Sequence, residues 1–101
     1  MSWLWTWDGI SFGYRFAHDQ LRTHDGRHVG YFVKNEIYGA DGFYLGELIS
    51  DERLITRQRK LGRFSFPFQP RAVRAERTRR PARAARLMRE GCQDFPAPEY
   101  L

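Results

Sequence analysis

Seven arginines recur at every third position near the C-terminal end: Arg71, Arg74, Arg77, Arg80, Arg83, Arg86 and Arg89, with Arg79 in addition. Such a ladder can neutralise the phosphates of nucleic acid or the headgroups of an anionic membrane. Spacing decides what it can reach. In polyproline II, with three residues per turn, all seven share one face. In an α-helix each lags about 60° behind the last, and together they wrap the cylinder. Ala82–Glu90 is rich in strong helix formers, with Pro81 suited to a helix start and Gly91 to the position past its end. Pro70, Val73 and Thr78 favour helix less. The expectation is a tail that is partly helical or extended. Its plainest role is to keep a small protein soluble.

The other chemistry-bearing residues are weaker signals. Trp3, Trp5 and Trp7 alternate onto one face of a strand. They could form an aromatic platform for bases, sugars or lipid, or they could be core. His18, His24 and His28 lie close in sequence beside Asp19 and Asp25. Across a hairpin turn that spacing favours surface histidines over a metal site. Asp8, Asp25 and Asp41 read as turn residues rather than acid/base pairs. Cys92 has no histidine near it in sequence and cannot form an internal disulfide. No phosphate-loop or zinc-ligand spacing is present. No catalytic residue, cofactor site or small-molecule substrate is expected.

These residues sit on a chain of two compositions. It has 101 residues and a formal net charge of +5, enough for one domain. Residues 1–69 carry 9 Lys/Arg, 8 Asp/Glu and 14 of the 16 aromatics; residues 70–101 carry 8 Arg and 4 acids. The division expected is a packed module, 1–69, and an arginine-rich tail, 70–101, with the module folding alone. No apolar run approaches 18 residues and no basic segment precedes an apolar one, so a cytoplasmic location is expected.

Within 1–69 a pattern D-G-x-x-φ-G recurs, φ being apolar: Asp8–Gly13, Asp25–Gly30 and Asp41–Gly46. A fourth copy decays to Gln58-Arg59 before Leu61-Gly62. Asp-Gly favours a tight hairpin turn of type I′. The flanking Ile, Val, Tyr, Phe, Trp and Thr are strand formers. The apolar residues Leu4, Leu21, Ile37 and Leu54 stand upstream of the turns. Four glycines in phase suggest a crowded shared axis. One such hairpin is marginal alone, but four can share a core. Pairing the first strand, Ser2–Trp7, with the last, Leu61–Phe68, would close the ring and remove both edges. A plain meander and a small open barrel of SH3 type are the competing folds.

The runs Trp7-Asp8-Gly9, Asp25-Gly26-Arg27-His28-Val29-Gly30-Tyr31 and Glu36-Ile37-Tyr38-Gly39-Ala40-Asp41-Gly42 resemble the 4-fold β-flower family of small bacterial proteins. The resemblance covers residues 2–68, and the tail shares the family's period of three. It implies an all-β fold, four pseudo-repeated hairpins closed into a shallow symmetric barrel, and no particular activity. The functional expectation is a non-enzymatic binding or adaptor protein. Its tail would contact nucleic acid or a protein partner. The alternative is a peripheral protein that binds anionic lipid through the tail and the aromatic petals.

Overall fold

The computed structural model describes residues 1–75 and 78–101; Arg77, one of the expected cations, lies outside the described residues. Seven strands follow one another in antiparallel order: β1 (Ser2–Thr6), β2 (Ser11–Phe16), β3 (Gln20–Thr23), β4 (His28–Val33), β5 (Glu36–Gly39), β6 (Tyr44–Ile49) and β7 (Arg53–Arg57). They close into a barrel through a short parallel pairing of β1 with β7, Trp5 opposite Arg53 and Thr6 opposite Leu54. An eighth strand, β8 (Cys92–Asp94), pairs with the far end of β7. Among the described residues, helix is confined to two 3-10 turns, Gln58–Lys60 and Pro98–Tyr100. Among the described residues no helix is long and apolar enough to cross a membrane.

The recurring motif has a local physical cause. Gly9, Gly26 and Gly42 take φ of +90°, +87° and +90°, while the aspartates before them stay at ordinary φ. Their N–H groups bond back three residues, to Thr6, Thr23 and Gly39. Each turn is therefore a three-residue loop ending in a left-handed glycine, not the two-residue type I′ turn expected. The paired positive φ values of a type I′ turn occur at the other end of the barrel, at Ala17-His18 and Ser50-Asp51.

Just past each Asp-Gly loop the register slips, between Leu4 and Trp5, Leu21 and Arg22, and Ile37 and Tyr38. The unpaired residues are Phe12, Val29 and Leu45. A bulge releases one residue from the ladder and re-aims it. Here it packs the φ residue against the central cluster of Leu4, Leu21, Ile37 and Leu54. The glycine after it leaves room: a Cβ on Gly46 would lie 2.6 Å from the Phe95 ring, and one on Gly30 3.1 Å from Ile37.

The fourth unit departs from expectation. Leu61–Phe68 is not a strand paired with the tryptophan strand; apart from one bridge between Phe64 and Phe43 it has no ladder. A Cβ on Gly62 would meet nothing within 4 Å, and Gly62 lies in no ladder. Leu61 is 50% exposed, and the corresponding core place is filled by Phe95, 2% exposed, edge-on to Phe12 at 5.3 Å. The tail instead supplies β8, which pairs with β7 beyond the short β1 contact. Asp94 then clips the gap between β8 and β1, accepting from the Trp7 and Asp8 N–H groups at 2.8 and 3.2 Å. The composition break at Pro67–Pro70 is thus not a break in packing.

Candidate functional site

The described residues between β7 and β8, 58–75 and 78–91, run as a belt around the Asp-Gly end of the barrel. It leaves β7 at the Gln58–Lys60 turn and returns where Gln58 N–H bonds Gly91 O at 2.9 Å. On the way it visits the three loops in reverse order. Ser65 N–H donates to Gly42 O at 2.7 Å, Arg74 N–H to Gly26 O at 3.0 Å and Arg83 N–H to Gly9 O at 2.9 Å. Three residues further along, Phe68 N–H donates to Ala40 O and Arg86 N–H to Trp7 O, both at 3.1 Å. Three residues before, Arg71 and Arg80 N–H groups reach His28 Nδ1 and Ser11 Oγ, also at 3.1 Å. Ring N–H groups of the barrel donate the other way, Trp5 Nε1 to Pro81 O at 2.9 Å and Trp7 Nε1 to Leu87 O at 3.1 Å.

These bonds explain why Ala82–Glu90 forms no helix. A nine-residue helix is marginal in water even with good helix formers. In the belt the N–H groups of Arg80, Arg83 and Arg86 find barrel acceptors instead. Tertiary contact overrides propensity.

The period of three now has a partner on the barrel. Arg80 lies over the Trp3 ring at 5.0 Å, Arg83 over Trp5 at 3.9 Å, and Arg86 and Arg89 over Trp7, each at 5.3 Å. Arg74 lies over Phe16 at 3.7 Å. Guanidinium planes stack on aromatic faces by cation–π attraction, strongest on Trp. The tryptophans point away from the central cluster; Trp5 and Trp7 are buried under the belt and Trp3 half-buried. The aromatic faces expected as a platform are occupied by the expected cations. Stacking leaves the charge in place, and Arg71, Arg79, Arg80, Arg83, Arg86 and Arg89 remain exposed. Arg79 Nη2 lies 3.1 Å from His24 Nε2, and Arg83 pairs with Glu52 at 3.1 Å.

Sequence reasoning missed the buried polar anchors. Arg22 is buried and spends its guanidinium on neutral acceptors: Gln20 Oε1 at 3.0 and 2.8 Å, Gly26 O at 2.8 Å and Ala72 O of the belt at 2.8 Å. Burial pulls its pKa down from the usual arginine range. At the start of the belt, Lys60 Nζ bridges Glu36 at 2.6 Å and Glu47 at 2.9 Å, while Arg57 Nε and Tyr44 Oη also bond Glu47, at 3.0 and 2.9 Å. Hydrogen bonds from Lys60 hold the Glu36 carboxyl below its ordinary pKa; Glu47 is also held low, against a burial penalty, by bonds from Lys60 and Arg57. Burial pushes the Tyr44 phenol well above its ordinary value. This clasp stands where the fourth Asp-Gly loop is missing, and no local motif announces it.

The three histidines do not converge. His18 lies exposed in the β2–β3 turn, at the other end of the barrel from the Asp-Gly loops. His24 meets Arg79. His28 is 8% exposed, its ring 4.5 Å from Phe68. Burial, then the nearby Arg22 and Arg71 charges, lowers its pKa below 6.5. Cys92 is half-buried at the start of β8, opposite Arg57. Comparison with known proteins finds no family model that matches the chain, and no curated protein or solved structure similar to it.

Proposed function

We propose that this chain is a non-enzymatic binding protein of the 4-fold β-flower group, contacting polyanions, nucleic acid foremost, through its arginine belt. The observation that carries the reading is the stacking of Arg74, Arg80, Arg83, Arg86 and Arg89 on fixed aromatic rings. An arginine already held in one place has less freedom to lose on binding. Its outward face still carries a full charge for a phosphate. The fourfold reading draws support from β8 with Phe95, which supply a fourth strand pair and its inward residue. It works as a small cytoplasmic adaptor in this reading, with no cofactor.

The test is binding of full-length protein to a labelled mixed-sequence nucleic acid and to anionic vesicles across a salt series. With three to five phosphates contacted, log K against log[salt] should slope at about −2 to −5. Absence of binding at moderate salt would overturn the reading. Exposed Phe64 and Phe66 in the belt favour, as the second reading, an anionic membrane surface. Vesicle binding that outcompetes nucleic acid would select it.

A further inference from the structure

We infer that a cleft beside the belt, between Tyr31, Phe66 and Phe68, seats an unstacked nucleobase, so that the belt prefers single-stranded nucleic acid to duplex. This rests on the polyanion reading above and names the form of polyanion.

The cleft has a volume of about 560 Å³ and is lined by Tyr31, Val33, Phe66, Phe68, His28 and Arg71 among others. That is within the range of about 300–1,000 Å³ typical of small-molecule sites. Tyr31, Phe66 and Phe68 give it aromatic walls beside the polar Asp19, Gln20, Ser65 and Gln69, and aromatic faces take any base by stacking. Phe66 is 82% exposed, which no packing in the chain explains. Its backbone is nonetheless pinned on both sides: Tyr31 Oη donates to Phe66 O at 2.9 Å, and Phe66 N–H donates to Tyr31 Oη at 3.1 Å. Tyr31 also stands edge-on to Phe68 at 5.5 Å. An exposed ring on a fixed backbone is a ready stacking surface.

Arg71 supplies the charge. Every other described belt arginine in the period of three lies over an aromatic ring of the barrel. Arg71 instead lines the aromatic-walled cleft, its N–H used on His28 and its side chain exposed. No ion pair among the described residues involves its guanidinium. A phosphate on Arg71 would leave the attached base over the cleft.

Duplex fits this rim poorly for two reasons. Its bases are stacked and paired, so none can enter the cleft without being extruded. The belt is also convex, wrapped on a molecule only 36 × 32 × 22 Å across its Cα atoms. A duplex that bends appreciably only over about 150 base pairs meets such a rim at one tangent. A flexible single strand can follow it from arginine to arginine.

The experiment measures fluorescence anisotropy of full-length protein with a labelled oligothymidylate and with a mixed-sequence duplex of equal length, each across salt. The single strand should bind more tightly. Phe66→Ala, at a site too exposed to disturb folding, should weaken single-strand binding by about 5- to 150-fold, from stacking of about 1–3 kcal/mol per base. Duplex binding and both salt slopes should stay put, and Phe66→Tyr should restore affinity because it keeps the ring face. Equal binding of the two forms, or a single-strand advantage that survives Phe66→Ala, overturns this inference and leaves the polyanion reading intact. No salt-dependent binding to either form overturns both.

Discussion

Replacing Phe95 by alanine should come close to unfolding the protein. Phe95 is 2% exposed, sits in the central cluster with Phe12 and Leu54, and closes over Gly46. A buried Phe→Ala change costs about 3–5 kcal/mol, transfer and cavity together. A chain of this size has only about 5–15 kcal/mol in total. At about 4–8 °C per kcal/mol for a small domain, the melting temperature should fall by at least about 12 °C. The assay is urea unfolding followed by tryptophan emission, with Phe66→Ala as the matched control. That ring is 82% exposed, and its loss should stay within about 0.5 kcal/mol. The stronger form is truncation to residues 1–69. It removes Phe95, β8 and the cover over Trp5 and Trp7, so cooperative unfolding should be lost. If Phe95→Ala kept the wild-type midpoint, or the truncated chain melted cooperatively, the tail would be an appendage and the belt a surface accident.

The contact of the belt with the loops can be isolated by two glycines. Gly26→Ala and Gly62→Ala meet nearly the same backbone penalty, at φ of +87° and +92°, about 1–2 kcal/mol. Only Gly26 also drives a Cβ to 2.3 Å from Arg74 O, whereas Gly62 has nothing within 4 Å, so Gly26→Ala should lower the melting temperature clearly more. Trp5→Phe removes the donor to Pro81 O and should cost about 1–2 kcal/mol. The same change should speed trypsin cleavage between Arg79 and Arg89, read by mass spectrometry against time. Acid should destabilise in two steps. The folded His28 pKa is below 6.5, so its contribution is present above that pH and lost as pH falls through it. Glu36 and Glu47 sit below 4.5 when folded, so theirs is lost only at lower pH. A melting-temperature series in His28→Gln should lack the first step and keep the second.

What could be read from the linear sequence is what local physics determines. The Asp-Gly loops, the apolar residues upstream and the φ-Gly pairs lie within one hairpin each, and all three are strand-level signals. Even there the turn type was out of reach, because Asp-Gly suits both a type I′ turn and a three-residue loop. The fourth unit failed for a different reason. Leu61-Gly62 matches the motif locally, yet Phe95, more than thirty residues on, takes the core place. Nothing local distinguishes the two. The helix signal of Ala82–Glu90 was real as propensity and lost to barrel contacts: the Arg83 and Arg86 N–H groups donate to Gly9 O and Trp7 O, and Leu87 O accepts from the Trp7 ring. The period of three in the arginines was legible, and its described members Arg74, Arg80, Arg83, Arg86 and Arg89 lie over aromatic rings of the barrel. Its meaning depended on which side the barrel stood. The Glu36–Lys60–Glu47 clasp left no pattern, because its members lie 11 to 24 residues apart, and Arg22 bonds Gln20 and Gly26 nearby but reaches the belt only at Ala72, 50 residues on.

The step of the belt supports a single origin for both periods. Its bonds to successive loops fall at Ser65, Arg74 and Arg83, nine residues apart, while the loops themselves are sixteen or seventeen apart. An extended three-residue screw rises about 3.1 Å per residue, so nine residues span about 28 Å. A quarter of the circumference of a disc about 34 Å across, the mean of its two longer extents, is about 27 Å. On the fourfold reading proposed above, a nine-residue step of such a screw would match one quarter of the rim. Arg80, Arg83 and Arg86 each meet a new tryptophan ring, Arg89 shares Trp7 with Arg86, and the Arg74 and Arg83 N–H groups each meet a new loop. On this reasoning inserting a single residue between Arg80 and Arg83 should do more damage than deleting either guanidinium. It would shift every later contact out of register, and the Trp7 indole would lose Leu87 O together with both of its arginines.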